Sequence, residues 1–418
     1  MGHLKKKVLL MPSYMLIIGT LIAYLQKKTA VVTSDIIFIV AASFLFFLIS
    51  WGIKKYNKNI DEYILSLVIF LCSMSLIMLL RLKVSLFKPQ MEWICLGMVL
   101  MLLTIVFSAQ LLKLLEYPYL LGLASILIIF LVVVFGTEIG GNRNWIIMGP
   151  FQVQPSEYAK LLVLGFLTAY LQENKNLLNL PNRKWGFLYL PPLRFLAPLI
   201  MIWSMALLMF VYQRDLGSAL LFFGMAVMMT YVATSNKSYM FLAAVFFILS
   251  GFASYMAFGH VRVRFDIWLN PWADPMGKAY QIVQSLFALG YGGLFGAGYW
   301  HGFPDMIPAV QTDFIFSAIG EEFGLLGVLS VITAYLLIFF RAMKISFSCS
   351  DEKYKLLSFG LSATMLLQAF IILAGVTKLL PLTGITLPFI SYGGSSMTAS
   401  FITIGLLLAI GAKEKNRA

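Results

Sequence analysis

The residues able to do chemistry in this 418-residue chain are few, and most stand where an apolar run begins or ends. Glu157 and Lys160 are three apart at the start of one run, so they share a helix face and can pair. Charges entering an apolar span are costly, and they mark either a functional site or a structural ion pair that fixes helix packing. Just before them, Gln154-Pro-Ser156-Glu157 reads as a helix start in which Ser156 satisfies free N–H groups. Arg143 follows Gly140-Gly141, a backbone tight enough to present a guanidinium to an anion. The alternative is a snorkelling Arg143 beside an interfacial Trp145. Arg214-Asp215 opens another run, where the helix dipole favours Asp215 and by itself explains it.

Residues 259–322 are densest in polar and special residues. Arg262 and Arg264 come first, then Trp268 and Trp272, which suit a loop lying against a membrane surface. Asp274 precedes Pro275 and is biased toward extended backbone, and with Gly277 and Lys278 following it reads equally as an ordinary turn. Gln281, Gln284 and Ser285 recur on one helical face and suit sugar hydroxyls or amides. Glycines at 290, 292, 293, 296 and 298 argue against a spanning helix over 286–300 and for irregular backbone lining a cavity. Asp313 and Glu321, eight apart, can face the same way along a helix and suit a cation site or pairs with basic residues of other spans. A Pro/Gly-broken stretch over 380–396, carrying Ser391 and Ser395, lets helices or lipid approach closely at the last run.

The elements that must position these residues are transmembrane helices. The chain is 60% hydrophobic and only 12% charged, with a mean hydropathy of +0.88, which excludes an ordinary soluble enzyme and a disordered chain. A span needs about 20 apolar residues. Twelve runs qualify, at about 8–26, 35–53, 61–80, 93–113, 117–136, 157–171, 196–213, 216–234, 239–258, 323–340, 355–377 and 389–411. The fold class is therefore all-α, a polytopic helical bundle. The 157–171 run is short and weak. No small-residue cleavage site follows the first run, which reads as a retained span. Cys72, Cys95 and Cys349 show no paired or metal-ligand spacing and read as packing residues.

The net charge of +13 is topological and does not point to nucleic acid, because Lys and Arg collect in cytoplasmic loops. With both termini inside, 19 of the 31 Lys and Arg lie on the inner side and 11 on the outer, with Lys160 within a span. Residues 137–156 and 259–322 then lie outside, away from cytosolic ATP and nucleotide sugars. No GxxxxGK[ST] phosphate loop occurs anywhere in the chain.

Five segments in this order, GNRNW…QPSEYAK, QRDLGS, NPWADPMGKAYQIVQS, QTDFIFSAIGEEFG and LPLTGITLPFISYGGSS, closely resemble the SEDS family of bacterial cell-shape, division and sporulation proteins. The resemblance covers roughly 117–411, which divides the chain into N-terminal spans over 1–116, partly additional to the family, and a family-like core over 117–418. It implies a peptidoglycan glycosyltransferase of the bacterial cytoplasmic membrane that polymerises lipid II on the outer side, with a class B penicillin-binding protein supplying transpeptidation. The family's essential loop aspartate falls on Asp274, which the resemblance makes the catalytic candidate. Two departures stand out. The family commonly has ten spans against twelve here, and Gln311 replaces a frequent His, so no proton role transfers to that position.

On this reading Asp274 serves as base toward the GlcNAc 4-hydroxyl. The leaving pyrophosphate needs positive charge, for which Arg143, Lys160, Arg214, Arg262, Arg264 and Lys278 are candidates. A divalent cation, Mg or Mn, can share that task, although no dedicated ligand cluster is legible. The rival readings are a lipid II flippase and a non-enzymatic scaffold for a penicillin-binding protein.

Overall fold

The computed structural model describes residues 59–139, 142–149, 151–178 and 212–416, with a few positions between 48 and 53 and between 183 and 207. The runs expected at 8–26, 35–53 and 196–213 lie almost wholly outside these residues. The chain is mostly helical. Among the described residues eight helices are long and apolar enough to cross a membrane, against the twelve spans expected of the whole chain.

The main helices are α1 (Glu62–Leu82), α2 (Phe87–Val106), α3 (Pro118–Phe135), α4 (Ser156–Glu173), α5 (Leu216–Thr234), α6 (Lys237–Ala257), α7 (Gly259–Leu269), α8 (Tyr280–Gly292), α9 (Ile315–Ser348), α10 (Glu352–Val376) and α11 (Gly394–Lys415). The weak 157–171 run is helical as α4, but it is not one of the eight, because polar residues dilute it. The bundle is organised around α11 and α1, whose apolar windows are 89% and 83% buried; α6, at 0%, lies at the periphery. An all-apolar helix is stable there only because a membrane supplies the remaining contacts.

Small residues set the closest packing. A Cβ on Gly97 of α2 would meet the Phe401 ring of α11 at 2.2 Å, and one on Gly394 would meet the Trp93 ring at 2.2 Å. These helices therefore approach at glycine, as membrane helices commonly do.

Several boundaries differ from expectation. The 93–113 run is broken at Phe107, so α2 covers 87–106 and a short helix takes Ser108–Lys113. The last span starts at Gly394 because Pro388 and the glycines after it keep 389–393 out of the helix. Helix α8 runs through Gly290 to Gly292, so irregular backbone begins later than the glycine series suggested. From there the chain folds onto a break in α9 at Gly324 (φ 64°), where Ala297 and Gly298 N–H donate to the Glu321 and Glu322 carbonyls at 2.8 and 3.1 Å. A Cβ on Gly324 would lie 2.3 Å from Gly296 N, so the crossing requires glycine.

The all-α expectation also misses a small sheet. Strands β1 (Thr137–Ile139), β2 (Asn142–Met148) and β3 (Phe151–Val153) pair antiparallel in the order β1-β2-β3. Gly149 (φ 61°) turns β2 back so that Ile146 faces Val153. A further hairpin pairs Arg183–Trp185 with Leu188–Leu190.

Candidate active site

A cavity of about 750 Å³ opens among β2, β3, the start of α4, α7, α8 and the segments before α9 and α11. Its polar lining includes Asn142, Asn144, Gln152, Gln154 and Glu157 on one side. Arg264, Lys278, Gln281, Asp313 and Lys378 also line it, together with Trp93, Trp145, Trp268 and Tyr392. Every lining segment comes from the stretches expected on the outer side or from the adjoining helix ends.

Strand geometry decides which residues of β2 participate. Successive side chains of a strand point to opposite faces, so Asn142 and Asn144 line the cavity while Arg143 between them is exposed; Trp145, of the other phase, also reaches the lining. Arg143 Nε donates to Gly136 O at 2.9 Å, which ties the guanidinium to the end of α3.

At the helix starts the polar residues divide by partner. Asp215 caps α5 and accepts from Ser218 N (3.0 Å), Ser218 Oγ (2.8 Å) and Asn144 Nδ2 (2.8 Å). Arg214 (φ 63°) is exposed and, among the described residues, pairs with Glu138 at 3.6 Å. Ser156 does not cap α4: Pro155 stands at the cap position, and Ser156 Oγ is buried without a partner among the described residues. Glu157 and Lys160 are both buried and joined at 2.5 Å, with Lys160 Nζ also donating to Gln368 Oε1 at 2.8 Å. Glu157 faces the cavity; Lys160 lies behind it, in the helix contact.

In the 259–322 stretch, Arg264 Nη1 donates to Leu382 O (3.1 Å) and Thr383 O (2.9 Å), anchoring α7 to the segment before α11. Burial lowers the Arg264 pKa, opposed by the nearby Asp215 and Asp313 carboxylates. Burial pushes the Asp313 carboxyl up to about 6; Thr312 and Arg264 favour its charged form, and Asp215 adds to the rise. Asp313 precedes the first turn of α9, so the eight-residue helical spacing to Glu321 does not hold. Glu321 accepts from Phe303 N at 2.5 Å and lines a separate depression. Gln284 lines that same depression, and Ser285 is buried against Ser317 Oγ (2.7 Å) and Val376 O (3.2 Å), so of the α8 triplet only Gln281 reaches the cavity. Helix α8 is packed along one stripe, and the 100° between Gln284 and Ser285 puts them in different surroundings. Arg262 turns away, over the Tyr255 ring at 5.5 Å.

Asp274 is exposed and ends a 3-10 turn over Pro271–Ala273. Its Oδ2 accepts the Lys278 N–H at 3.0 Å, and Lys278 lines the cavity. The turn reading is thus realised, and it fixes one carboxylate oxygen while leaving the other exposed residue surface available. Gly277 makes room: a Cβ there would lie 2.4 Å from both Asp274 oxygens.

Ser391 and Ser395 act on backbone. Ser391 Oγ donates to Thr312 O (2.5 Å) and accepts from Leu387 N (2.9 Å), and Ser395 Oγ accepts from Gln154 N (2.9 Å). Sequence reasoning missed Trp93, Asn142, Asn144, Gln152 and Lys378. No alternation of polar and apolar residues over 142–148 marks the two asparagines, because the stretch runs from a polar triplet into four apolar residues. Trp93 comes close only through its contact with Gly394, more than 300 residues away in sequence. Among the described residues no group of three or more His, Cys, Asp or Glu is placed to hold a metal ion, and the three cysteines are free thiols.

Comparison with known proteins gives concordant results. A family model described as a cell cycle protein, FtsW/RodA/SpoVE, matches residues 60–416, so α1 and α2 fall within the matched region. Peptidoglycan glycosyltransferase RodA of Mycobacterium tuberculosis is 35% identical over 372 residues, 86% of this chain and 79% of that protein. Stage V sporulation protein E of Bacillus subtilis is 35% identical over 289 residues, 68% of this chain and 75% of its own. Among solved structures, a chain of a peptidoglycan synthase complex that coordinates polymerization and crosslinking matches with a TM-score of 0.69 at 27% identity, covering 84% of this chain and 97% of that one. Thermus thermophilus RodA matches with a TM-score of 0.59 at 26% identity over 84% and 96%.

Proposed function

The chain belongs to the FtsW/RodA/SpoVE family of cell cycle proteins, and on that premise we propose that it is a peptidoglycan glycosyltransferase polymerising lipid II at the outer face of the cytoplasmic membrane. A class B penicillin-binding protein is its partner, a reading supported by the structural likeness to a chain of a peptidoglycan synthase complex. The observation that carries the chemistry is one cavity lined by amides, aromatic rings and the cations Arg264, Lys278 and Lys378, with Asp274 hydrogen-bonded to the backbone of one of those cations. The inward bias of Lys and Arg supports placing both termini inside and this cavity outside. Any spans before residue 60 are the candidates for a partner-binding addition.

In the reaction the GlcNAc 4-hydroxyl oxygen attacks the MurNAc anomeric carbon, forming the glycosidic bond as the bond to undecaprenyl pyrophosphate breaks. Asp274 takes the hydroxyl proton, and the departing pyrophosphate carries away the electron pair toward the cationic wall. The Lys278 N–H holds one Asp274 oxygen, which orients the carboxylate for the other to act.

The test is polymerisation of labelled lipid II by the purified chain, with and without its partner. Asp274→Asn keeps an acceptor for the Lys278 N–H but removes the base, and activity should fall about 10²–10⁴-fold with unchanged thermal stability. Parent-rate polymer from this variant would refute the base assignment. Label movement across the bilayer without polymer would identify a flippase instead.

A further inference from the structure

Asn144 is 4% exposed, yet it lines the cavity. Its Nδ2 donates to Asp215 Oδ2 at 2.8 Å, and among the described residues its Oδ1 has no hydrogen-bond partner. The assignment of the two amide ends follows from chemistry. A carboxylate only accepts, so the amino group must face Asp215 and the oxygen must face away. Asp215 is itself held by Ser218 N and Ser218 Oγ, so the anchor cannot readily swing. A buried acceptor without a donor is costly, and native proteins rarely keep one without a use. Thr386 Oγ1, on the same cavity, likewise has no partner among the described residues.

We infer that Asn144 Oδ1, oriented by Asp215, is a preset acceptor for an N–H or O–H donor on the N-acetylated amino sugar of the substrate. This rests on the glycosyltransferase reading and adds a sugar-recognition subsite to it. The surroundings suit a sugar. Gln152 and Gln154 supply further amide groups, and Trp145 supplies an apolar ring. An anionic pyrophosphate is repelled by an acceptor oxygen backed by a carboxylate, so Asn144 selects for the saccharide and the cations Arg264, Lys278 and Lys378 serve the pyrophosphate.

The experiment measures binding in lipid nanodiscs by the full chain. Two ligands are titrated: lipid II, and undecaprenyl pyrophosphate, which has the same tail and pyrophosphate but no sugar. Asn144→Leu should weaken lipid II about tenfold, the scale of one lost buried hydrogen bond, and leave undecaprenyl pyrophosphate within about twofold. Asn144→Ser, a small polar residue whose hydroxyl ends one bond short of the amide oxygen and so withdraws the acceptor by reach, should give the same split and does not depend on the apolar substitution folding. Equal weakening of both ligands, or weakening of neither, overturns the inference. Binding is read without turnover, so parent protein that binds lipid II with this selectivity but makes no polymer would defeat the transferase reading alone.

Discussion

Replacing Lys160 with methionine tests whether the buried Glu157–Lys160 pair holds the cavity wall together. At a separation of 2.5 Å, an effective dielectric of about 20 gives roughly 7 kcal/mol of gross attraction. Desolvation of two buried groups offsets most of it, so the pair itself contributes little net stability. Removing one member is different. Lys160→Met strips Glu157 of its counter-charge and Gln368 Oε1 of its donor, and Gln368 also donates to Thr386 O at 3.0 Å in the segment before α11. The expected cost is about 3–5 kcal/mol. The double variant Glu157→Gln/Lys160→Met removes both charges and should recover about 2–3 kcal/mol of that loss, a coupling typical of contacting residues. Unfolding by SDS in mixed micelles measures all four proteins. If the double variant is as unstable as the sum of the singles, the two residues are not coupled and the reasoning fails.

Arg81 at the end of α1 bridges two carboxylates, donating to Glu322 Oε1 (2.6 Å), Asp305 Oδ2 (2.9 Å) and Gly302 O (2.8 Å). Arg81→Met should destabilise by about 3–5 kcal/mol and, in limited proteolysis, expose the chain over 293–314; unchanged cleavage would contradict this. Asp313 gives a pH dependence. Its carboxyl is raised from 3.8 to about 6 in the folded protein, so its contribution to stability is full below about 3.8 and is lost as pH rises through about 6. Asp313→Asn should therefore stabilise the protein above pH 6 and flatten the slope between about 4 and 6; a parallel shift of the whole stability–pH curve would refute the assignment.

Much of the bundle is legible in the chain because the signal is local. Transfer of an apolar run into lipid depends on that run's own composition, so α1, α3, α5, α6 and α10 fall close to the expected ranges. The boundaries that moved are those set by a distant partner. Gly324 interrupts α9 because the backbone of 294–296 lies against it, and nothing near Gly324 in sequence encodes that contact. The small sheet was hidden for a related reason: β1 and β3 are three residues each, too short for a periodic pattern.

The candidate site divides along the same line. Lys278 and Gln281 lie close together in the chain and both line the cavity, while Asp274 stands beside them, accepting the Lys278 N–H. Charge was an uneven guide to the rest: Glu157, Arg264 and Asp313 do line the cavity. Arg143, Arg214 and Arg262 have the charge but point elsewhere, whereas Asn142, Asn144 and Lys378 line the cavity.

Composition and motif order are enough to specify a membrane-embedded helical bundle, the family to which it is similar, and the segments from which the site is built. Which side chains share one cavity follows from the folded packing alone. Hydropathy and motif spacing act along the chain, but a side chain's direction depends on strand phase, helix rotation and contacts between residues hundreds of positions apart.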